Sequence, residues 1–416
     1  MQRILLLLFC LFPALAGAVE HYNLARVVVT GSQRYQQDDL LRATGLVLNT
    51  QVTTDDLQNA ANRLGTSGAF SSVQFLFKPA TGAKGVEADF QVADSGNFLA
   101  AIFENFVWFS PGELQQAIHQ SVPLYNGRLP ASGSLCDDVS AALTKLLTAK
   151  GLPSQISYLL SGDFGQAPSA YKFRIEDADL KISDVTLLHA EHILPEQLAK
   201  AVAPLKNTAY LYSDVAKVLE KNLIPAYTER GYLKFTIGEI SPRLEAKDLV
   251  RVEVTVNEGD QFRLAGYNWA GNTLIPSDEL FKKITLKPGL PVNAQELERN
   301  LVEVRKLYGK FGREEAAITP EPVFEGSAVT YNFQVKEGEL YHMGKLEIEG
   351  VDPAQARKLA QGWKLAEGDP YDSTYIQQFL AHTVVKVASK HWEWKMIEQV
   401  DTAKKAVNVK LQLKIE

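Results

Sequence analysis

The residues of this chain that could carry out chemistry are few, and each lies in a pattern that favours a structural role. His189, Glu191 and His192 belong to the sequence HAEH, in which two imidazoles and a carboxylate could share a zinc ion. They fall where a predicted strand turns into a helix, and no further ligand cluster accompanies them. Cys136 precedes two aspartates that oppose a lowered thiol pKa. We therefore predict that the protein has no metal, no cofactor and no catalytic residue. The alternative function, from another class, is a secreted hydrolase or metal enzyme that uses the HAEH residues.

Other catalytic and ligand-binding signatures are missing from the sequence. It contains no phosphate loop, no G-x-S-x-G, no H-E-x-x-H and no EF-hand spacing. The pair Gly309-Lys310 lacks the rest of a nucleotide site and predicts a helix end instead. With 43 Lys and Arg against 49 Asp and Glu, the net charge is −6, and no basic cluster is present. These features predict a protein that is not an enzyme, with neither a nucleic acid nor a small-molecule substrate as its partner.

The N-terminus has the pattern of a secretory signal. Residues 1–18 contain Arg3, an unbroken apolar run over 4–12 and small residues spaced Ala-x-Ala. The better predicted cleavage site follows Ala18, and the second choice follows Ala16. A permanent anchor is disfavoured because the apolar run is too short to cross a bilayer, and lipidation at Cys10 lacks the small residue expected before it. The sequence thus predicts that the mature protein is exported.

The remainder of the chain repeats itself. The stretches VNEGDQFRLAGYNWAG and VKEGELYHMGKLEIEG match in length, share Val, Glu and two Gly at the same positions and align an aromatic and several apolar residues between them, and related strand endings recur about every 80 residues. The apolar residues that mark these endings are Val92, Ile175, Val256, Val335 and Ile415. Because the chain has 416 residues and a hydrophobic content of 46%, we expect several small cores and not disorder or one enlarged core, and the period predicts five repeats. The predicted boundaries are 19–94, 95–177 (the most divergent), 178–259, 260–338 and 339–416.

One repeat can be followed through its local signals. In the fourth, alternating apolar residues predict a first strand that ends at Gly271. A short helix and a longer helix follow, the second beginning at the capping residue Asn293. Two further strands joined at Glu325-Gly326 then form a hairpin. The predicted order is strand, helix, helix, strand, strand, and in the third repeat His189 takes the place of the turn glycine.

A β-α-α-β-β unit of about 80 residues, repeated after a signal with V-x-E-G at the strand ends, resembles a POTRA domain. Five in tandem resemble the periplasmic arm of the BamA/TamA family of outer-membrane assembly proteins. The resemblance implies an α+β fold of five POTRA-like domains in an elongated arm, associated with the outer membrane. Family members usually continue into a transmembrane barrel, whereas this sequence stops at Glu416. We therefore expect the barrel to be on another chain, lost, or removed by truncation.

The resemblance also implies partners and a site. POTRA domains receive unfolded outer-membrane proteins or dock assembly subunits by adding an extended segment to a sheet edge, and the second strand of each unit forms that edge. The candidate positions are Val73, Gln74, Phe75, Leu76 and Phe77 in the first repeat and Ile156, Ser157, Tyr158, Leu159 and Leu160 in the second. Pro320 and Pro322 would protect the fourth edge. Two alternatives stay open: the aromatic residues serve the core, and the protein is an architectural scaffold with one fixed partner, as in the division protein FtsQ.

Overall fold

The computed structural model describes residues 20–162, 165–380, 382 and 392–415, so the predicted signal at 1–18 lies outside the described residues. The described part forms five sheets, one for each predicted repeat. Among the described residues, no helix combines the length and the apolar composition needed to cross a membrane.

The first two repeats have four-stranded sheets with two helices each. The first comprises β1 (Tyr22–Thr30), α1 (Gln37–Thr44), β2 (Gln51–Val52), α2 (Thr54–Thr66), β3 (Phe70–Pro79) and β4 (Val86–Asp94). The second comprises β5 (Phe98–Phe103), α3 (Pro111–Ser121), β6 (Arg128–Pro130), α4 (Leu135–Ala149), β7 (Ile156–Ser161) and β8 (Ala170–Ile175). The strand orders are β2-β1-β4-β3 and β6-β5-β8-β7.

The remaining repeats have three-stranded sheets. The third comprises β9 (Lys181–Leu188), α5 (Pro195–Val202), a short 3-10 helix (Ala203–Leu205), α6 (Tyr212–Thr228), β10 (Thr236–Ala246) and β11 (Leu249–Asn257). The fourth comprises β12 (Arg263–Ala270), α7 (Ser277–Phe281), α8 (Ala294–Gly309), β13 (Ala317–Glu325) and β14 (Ala328–Lys336). The fifth comprises β15 (His342–Glu349), α9 (Pro353–Gly362), α10 (Tyr375–Phe379), β16 (Trp392–Asp401) and β17 (Ala406–Ile415). Their orders are β10-β11-β9, β12-β14-β13 and β15-β17-β16.

The predicted α+β class and the repeated strand-helix-helix-strand-strand order are confirmed. In each sheet, the last strand lies in the middle, and the second strand of the predicted unit forms an edge. The capping signal at Asn293 also holds, because its side chain accepts a hydrogen bond from Glu296 N at 2.9 Å. The boundaries between repeats stay a prediction.

One feature of the sheets was not predicted. The turn between the two helices of each repeat pairs with the first strand, on the side opposite the hairpin. In the first two repeats this pairing forms the short strands β2 and β6. In the others it is a single bridge, at Lys181↔Ala209, Arg263↔Pro291 and His342↔Pro370.

The glycine that ends the first strand is required by close contact as well as by its backbone angle. Gly31 has φ +101°, and a Cβ there would lie 2.0 Å from the Val92 carbonyl oxygen. At Gly271 and Gly350 the corresponding distances to third-strand carbonyl oxygens are 2.3 and 1.9 Å. His189 replaces this glycine in the third repeat and adopts φ +64°, a conformation that costs a non-glycine residue about 1–2 kcal/mol.

The acidic residue after the third strand holds the turn that this glycine opens. Asp94 accepts hydrogen bonds from two backbone N–H groups of the turn at 2.8 and 3.1 Å, and Glu258 accepts from two at 2.9 and 3.0 Å. Glu337 accepts from one at 2.7 Å. The divergent second repeat uses the side chain of Asn105, which bonds both backbone groups of Ile175 at 2.9 Å. The repeated V-x-E-G sequence is therefore a turn clamp.

The cores are not fully separate. One cluster of buried apolar residues runs through both the first and the second repeat. The fourth and fifth repeats each have a cluster of their own. The described residues thus form several cores, as expected, and the first two repeats share one of them.

Candidate functional site

The two strands predicted as docking edges, β3 and β7, each lie last in their sheet. β3 pairs antiparallel with β4, and the register from Ser72↔Ala93 to Pro79↔Val86 has no shift. β7 pairs antiparallel with β8 from Ile156↔Ile175 to Ser161↔Ala170. Both edges therefore present a regular row of backbone groups on the side away from the partner strand.

The hydrogen bonds at the end of each ladder show which residues of the edge strand direct their backbone N–H and C=O groups away from the partner strand. Ala80 N donates to Gly85 O at 2.9 Å, which makes this a hydrogen-bonded pair. Bonded and non-bonded pairs alternate along an antiparallel ladder, so the backbone groups of Val73, Phe75 and Phe77 face away from β4. These three residues offer their N–H and C=O groups to an added strand.

The same argument applies to the second repeat. Glu176 N donates to Gln155 O at 2.9 Å, and the register continues from that pair into β7. The outward residues are therefore Ile156, Tyr158 and Leu160. Ser157 lies between them and donates its hydroxyl to Glu176 Oε1.

The side chains of the edge strands divide between the core and the solvent. Phe75 stacks on Phe90 with ring centroids 5.8 Å apart, and Phe77 packs on Tyr22 at 5.5 Å. The other predicted aromatic, Tyr158, packs against the aromatic rings of β8. Like these rings, Val73 and Ile156 are half-buried against the core. The alternative that these aromatic side chains serve the core is therefore correct, although the backbone groups of the same residues face away from the partner strand.

The exposed apolar side chains at the edges are leucines. Leu76 is 57% exposed, Leu159 is 59% exposed and Leu160 is 48% exposed. Gln74 is exposed on the same face as Leu76, since residues two apart share a face of a strand. These side chains can contact alternate residues of an added strand.

An open groove of about 560 Å³ lies between α2 and the first part of β3. Its helix side presents the small residues Ala61 and Gly65 together with the polar residues Gln58, Asn62 and Thr66, and its strand side runs from Phe70 to Phe75. No charged residue lines this groove. It can therefore receive small, uncharged side chains of a segment added to β3.

The second repeat differs at the corresponding place. The Tyr158 hydroxyl donates to Asp137 Oδ1 of α4 at 2.5 Å and links the edge strand to the helix. This bond raises the pKa of Tyr158 to about 12, with burial and the Asp137 charge adding to the shift. β7 thus has an open backbone edge with a tethered helix beside it, whereas β3 has both an edge and a groove.

The predicted protection of the fourth edge follows from the register. β13 and β14 are joined by the two residues between Glu325 and Ala328, and the closing pair of such a hairpin is hydrogen-bonded. Pairs at odd-numbered residues of β13 are therefore bonded, and Pro320 and Pro322 face outward. Neither proline can donate a hydrogen bond. The edge of β13 lacks two of the donors that β3 retains.

The residues considered for chemistry serve the fold. His192 donates through its backbone N–H and lies with Nδ1 2.5 Å from Glu258 Oε2, so the HAEH turn is bound to the clamp carboxylate. Across the described parts of the chain, no group of three or more His, Cys, Asp or Glu residues is arranged to hold a metal ion. Cys136 is buried, and this burial, together with the neighbouring Asp137, raises its thiol pKa to about 11 against a hydrogen bond with Tyr171.

Comparison with known proteins identifies the repeat. The POTRA family model, described as "Surface antigen variable number repeat", matches residues 262–338. The chain is 26% identical over 156 residues to the outer membrane protein assembly factor BamA of Neisseria meningitidis serogroup B, which covers 36% of this chain and 20% of BamA. It is 23% identical over 215 residues to a putative outer membrane protein assembly factor of Treponema pallidum, covering 49% of this chain and 26% of that protein.

The matched segments thus span about a fifth to a quarter of those relatives. Among solved structures, POTRA domains 3–5 of Haemophilus influenzae BamA match with a TM-score of 0.44 and 18% identity, covering 56% of this chain and 96% of that one. Residues 262–338 therefore match the POTRA family, and parts of the chain are similar to outer membrane protein assembly factors.

Proposed function

We propose that this protein is a periplasmic scaffold that assists outer-membrane protein assembly by binding extended segments of its clients at the edges of β3 and β7. The observation that carries this proposal is the outward backbone row of Val73, Phe75 and Phe77 beside the open groove of α2. The names of the curated relatives, outer membrane protein assembly factors, supply the class of client. The clients are then unfolded outer-membrane proteins or a subunit of the assembly machinery.

The energetics of such an edge suit transient binding. Three outward residues provide three donors and three acceptors, each worth about 1 kcal/mol net when paired. The total of about 6 kcal/mol is comparable to the 4–15 kcal/mol cost of association. Backbone pairing alone therefore holds a client weakly, and side chains entering the groove decide how long it stays. Weak binding that does not depend on the amino-acid sequence of the client suits a scaffold that releases its clients to a later step of assembly.

The two edges are expected to differ in strength. A strand added to β3 gains both backbone bonds and the groove lined by Ala61 and Gly65. A strand added to β7 gains the backbone bonds and the exposed Leu159, while the Tyr158–Asp137 bond keeps the helix beside it in place. We assign the first repeat as the principal client site and the second as an auxiliary edge.

The test is photo-crosslinking in living cells from a benzoylphenylalanine placed at Gln74 or Ser157. Many different outer-membrane β-proteins trapped at both positions would support client handling. Replacing Val73 by proline removes one outward donor, and we expect it to reduce crosslinking from Gln74 about tenfold. Val73→Ala is the matched control, because it shortens the same side chain and keeps the donor.

The outcomes separate the alternatives. Crosslinks to a single recurrent envelope protein at both positions would replace the proposal with an architectural scaffold. No crosslinks, or equal effects of Val73→Pro and Val73→Ala with both variants folded, would refute binding through the backbone edge. Circular dichroism of each variant establishes that the fold is retained.

A further inference from the structure

A cavity of about 410 Å³ lies between the first and second repeats, which share one hydrophobic core. The last turns of α1 and α2 form one side of it, and the segment 121–124 and the first three turns of α4 form the other. It is separate from the β3 groove and has no part in the proposed client site.

The charges around this cavity are unbalanced. Three cationic residues, Arg42, Arg63 and Lys145, line it together with one carboxylate, Asp138. The local excess is two positive charges, in a chain whose net charge is −6. A cavity of one sign in a chain of the opposite sign concentrates anions at that place.

Two of the cationic groups are held in fixed positions by backbone carbonyl oxygens. Arg42 donates to the carbonyl oxygens of His119 and Gln120 at 3.1 and 2.6 Å, and it also forms an ion pair with Asp39 at 3.5 Å. Arg63 donates to the Thr44 carbonyl oxygen at 3.1 Å. Carbonyl oxygens orient a guanidinium group but leave its charge available.

Arg63 and Lys145 differ from Arg42 in their ion pairing. Within the described ranges, neither Arg63 nor Lys145 has a carboxylate oxygen within the 4.0 Å of a salt bridge. Asp138 also lines the cavity without forming such a pair. The hydroxyl groups of Ser121 and Ser134 lie on the same wall and can donate hydrogen bonds to an oxyanion.

We propose that this cavity binds a phosphate monoester group, held by Arg42, Arg63 and Lys145. A phosphate monoester carries close to two negative charges at neutral pH, and the charges of Arg63 and Lys145 remain available to it when Arg42 pairs with Asp39. Arginine binds phosphate with paired N–H donors, and lysine adds a compact charge. The chemistry is shared by a soluble phosphate ester and by the head group of a phosphorylated lipid.

Asp138, the carboxylate that lines the cavity, provides a second test of the proposal. Burial raises the pKa of Asp138, the Asp137 charge adds to the rise, and Arg63 opposes it. An anion bound beside Asp138 would meet repulsion from this carboxylate. Asp138→Asn should therefore strengthen binding, opposite to the effect of removing a cation.

The experiment uses the purified full chain and isothermal titration calorimetry with inorganic phosphate and with glycerol phosphate. We expect saturable binding at one site, a loss of about tenfold in affinity for Lys145→Gln, and a gain for Asp138→Asn. Lys145 makes no described hydrogen bond, so its replacement leaves the fold intact, whereas Arg63→Gln also removes the bond to Thr44. Lys283→Gln, in the fourth repeat, is the matched control and should change nothing.

The source of the phosphate is distinguished by co-sedimentation with vesicles of phosphatidylcholine, with or without phosphatidic acid. Binding that requires phosphatidic acid and is lost in Lys145→Gln would assign a lipid head group. Binding of glycerol phosphate without vesicle binding would assign a soluble ester. The proposal is overturned if neither ligand binds, or if Lys145→Gln and Lys283→Gln bind equally well.

Discussion

The turn clamp predicts a large loss of stability when Glu258 is replaced by alanine. The carboxylate is 8% exposed and accepts hydrogen bonds from the backbone of Glu191 and His192, from His192 Nδ1 and from the Tyr227 hydroxyl. Tyr227 is fully buried, so its hydroxyl would lose its acceptor without gaining water. Bonds to a charged acceptor contribute about 1.5–3 kcal/mol each, and allowing for non-additivity we expect a loss of about 3–5 kcal/mol.

A matched control lies on β11, the strand that ends just before Glu258. Glu253 pairs with Arg243 at 2.7 Å, but the arginine side chain is 69% exposed, and such pairs contribute about 0.2–1 kcal/mol. Because a chain of several repeats need not unfold in one step, the assay is native-state hydrogen exchange at the amides of Glu191 and His192. The reasoning is refuted if Glu258→Ala lowers the protection of these amides no more than Glu253→Ala does.

The same carboxylate predicts a pH dependence with a definite sign. Burial acts to raise the pKa of Glu258, but the hydrogen bonds from His192, Tyr227 and Glu191 outweigh it and hold the pKa below its usual range. A lowered pKa in the folded state contributes stability that is present above the unfolded value of about 4.3 and is lost as the pH falls through the folded value. The stability difference between the wild type and Glu258→Gln should therefore narrow as the pH falls below about 4.

Two further predictions concern the turn that the clamp holds. Gly31→Ala should lower the stability by at least about 3 kcal/mol, because the new Cβ would lie 2.0 Å from the Val92 carbonyl oxygen. Gly82→Ala, at φ +79° with nothing within 4 Å of the new Cβ, should lower it by about 1 kcal/mol. Thermal unfolding of the two variants compares these losses, and equal losses would contradict the contact argument. His189→Gly should stabilise the third repeat by roughly 0.5 kcal/mol, since glycine adopts φ +64° without strain, and a fall in amide protection there would show that the imidazole contributes more than the strain removes.

The fold could be predicted from sequence because its signals are local. Alternation along each strand, the capping residue Asn293 and the glycine at each turn act within a few residues, so the element order could be predicted from them. The edge position of β3 was implied only by the resemblance to POTRA domains. The prolines at 320 and 322 likewise identify a protected edge, since a missing donor is a property of the residue itself. Such features do not depend on which distant residues meet.

The features that were missed depend on contacts between distant segments. β2 spans only Gln51–Val52, too short for a period to show, and its pairing is fixed by the position of β1. The groove requires Ala61 and Gly65 of α2 to face β3, and apolar patterning does not distinguish a small residue at a groove from one in a core. The common core of the first two repeats was missed for the same reason, because alternation predicts burial but not the partner.

The pairing of each first strand with the turn between the helices makes the two sides of a sheet unequal. In the described repeats this pairing covers only the start of the first strand, through β2, β6 or a single bridge, whereas the second strand of the unit has a free edge along its length. Under the proposed function, a strand added at that edge presents its own far edge, so each repeat receives one client strand there. Client capacity is then set by the number of open hairpin edges.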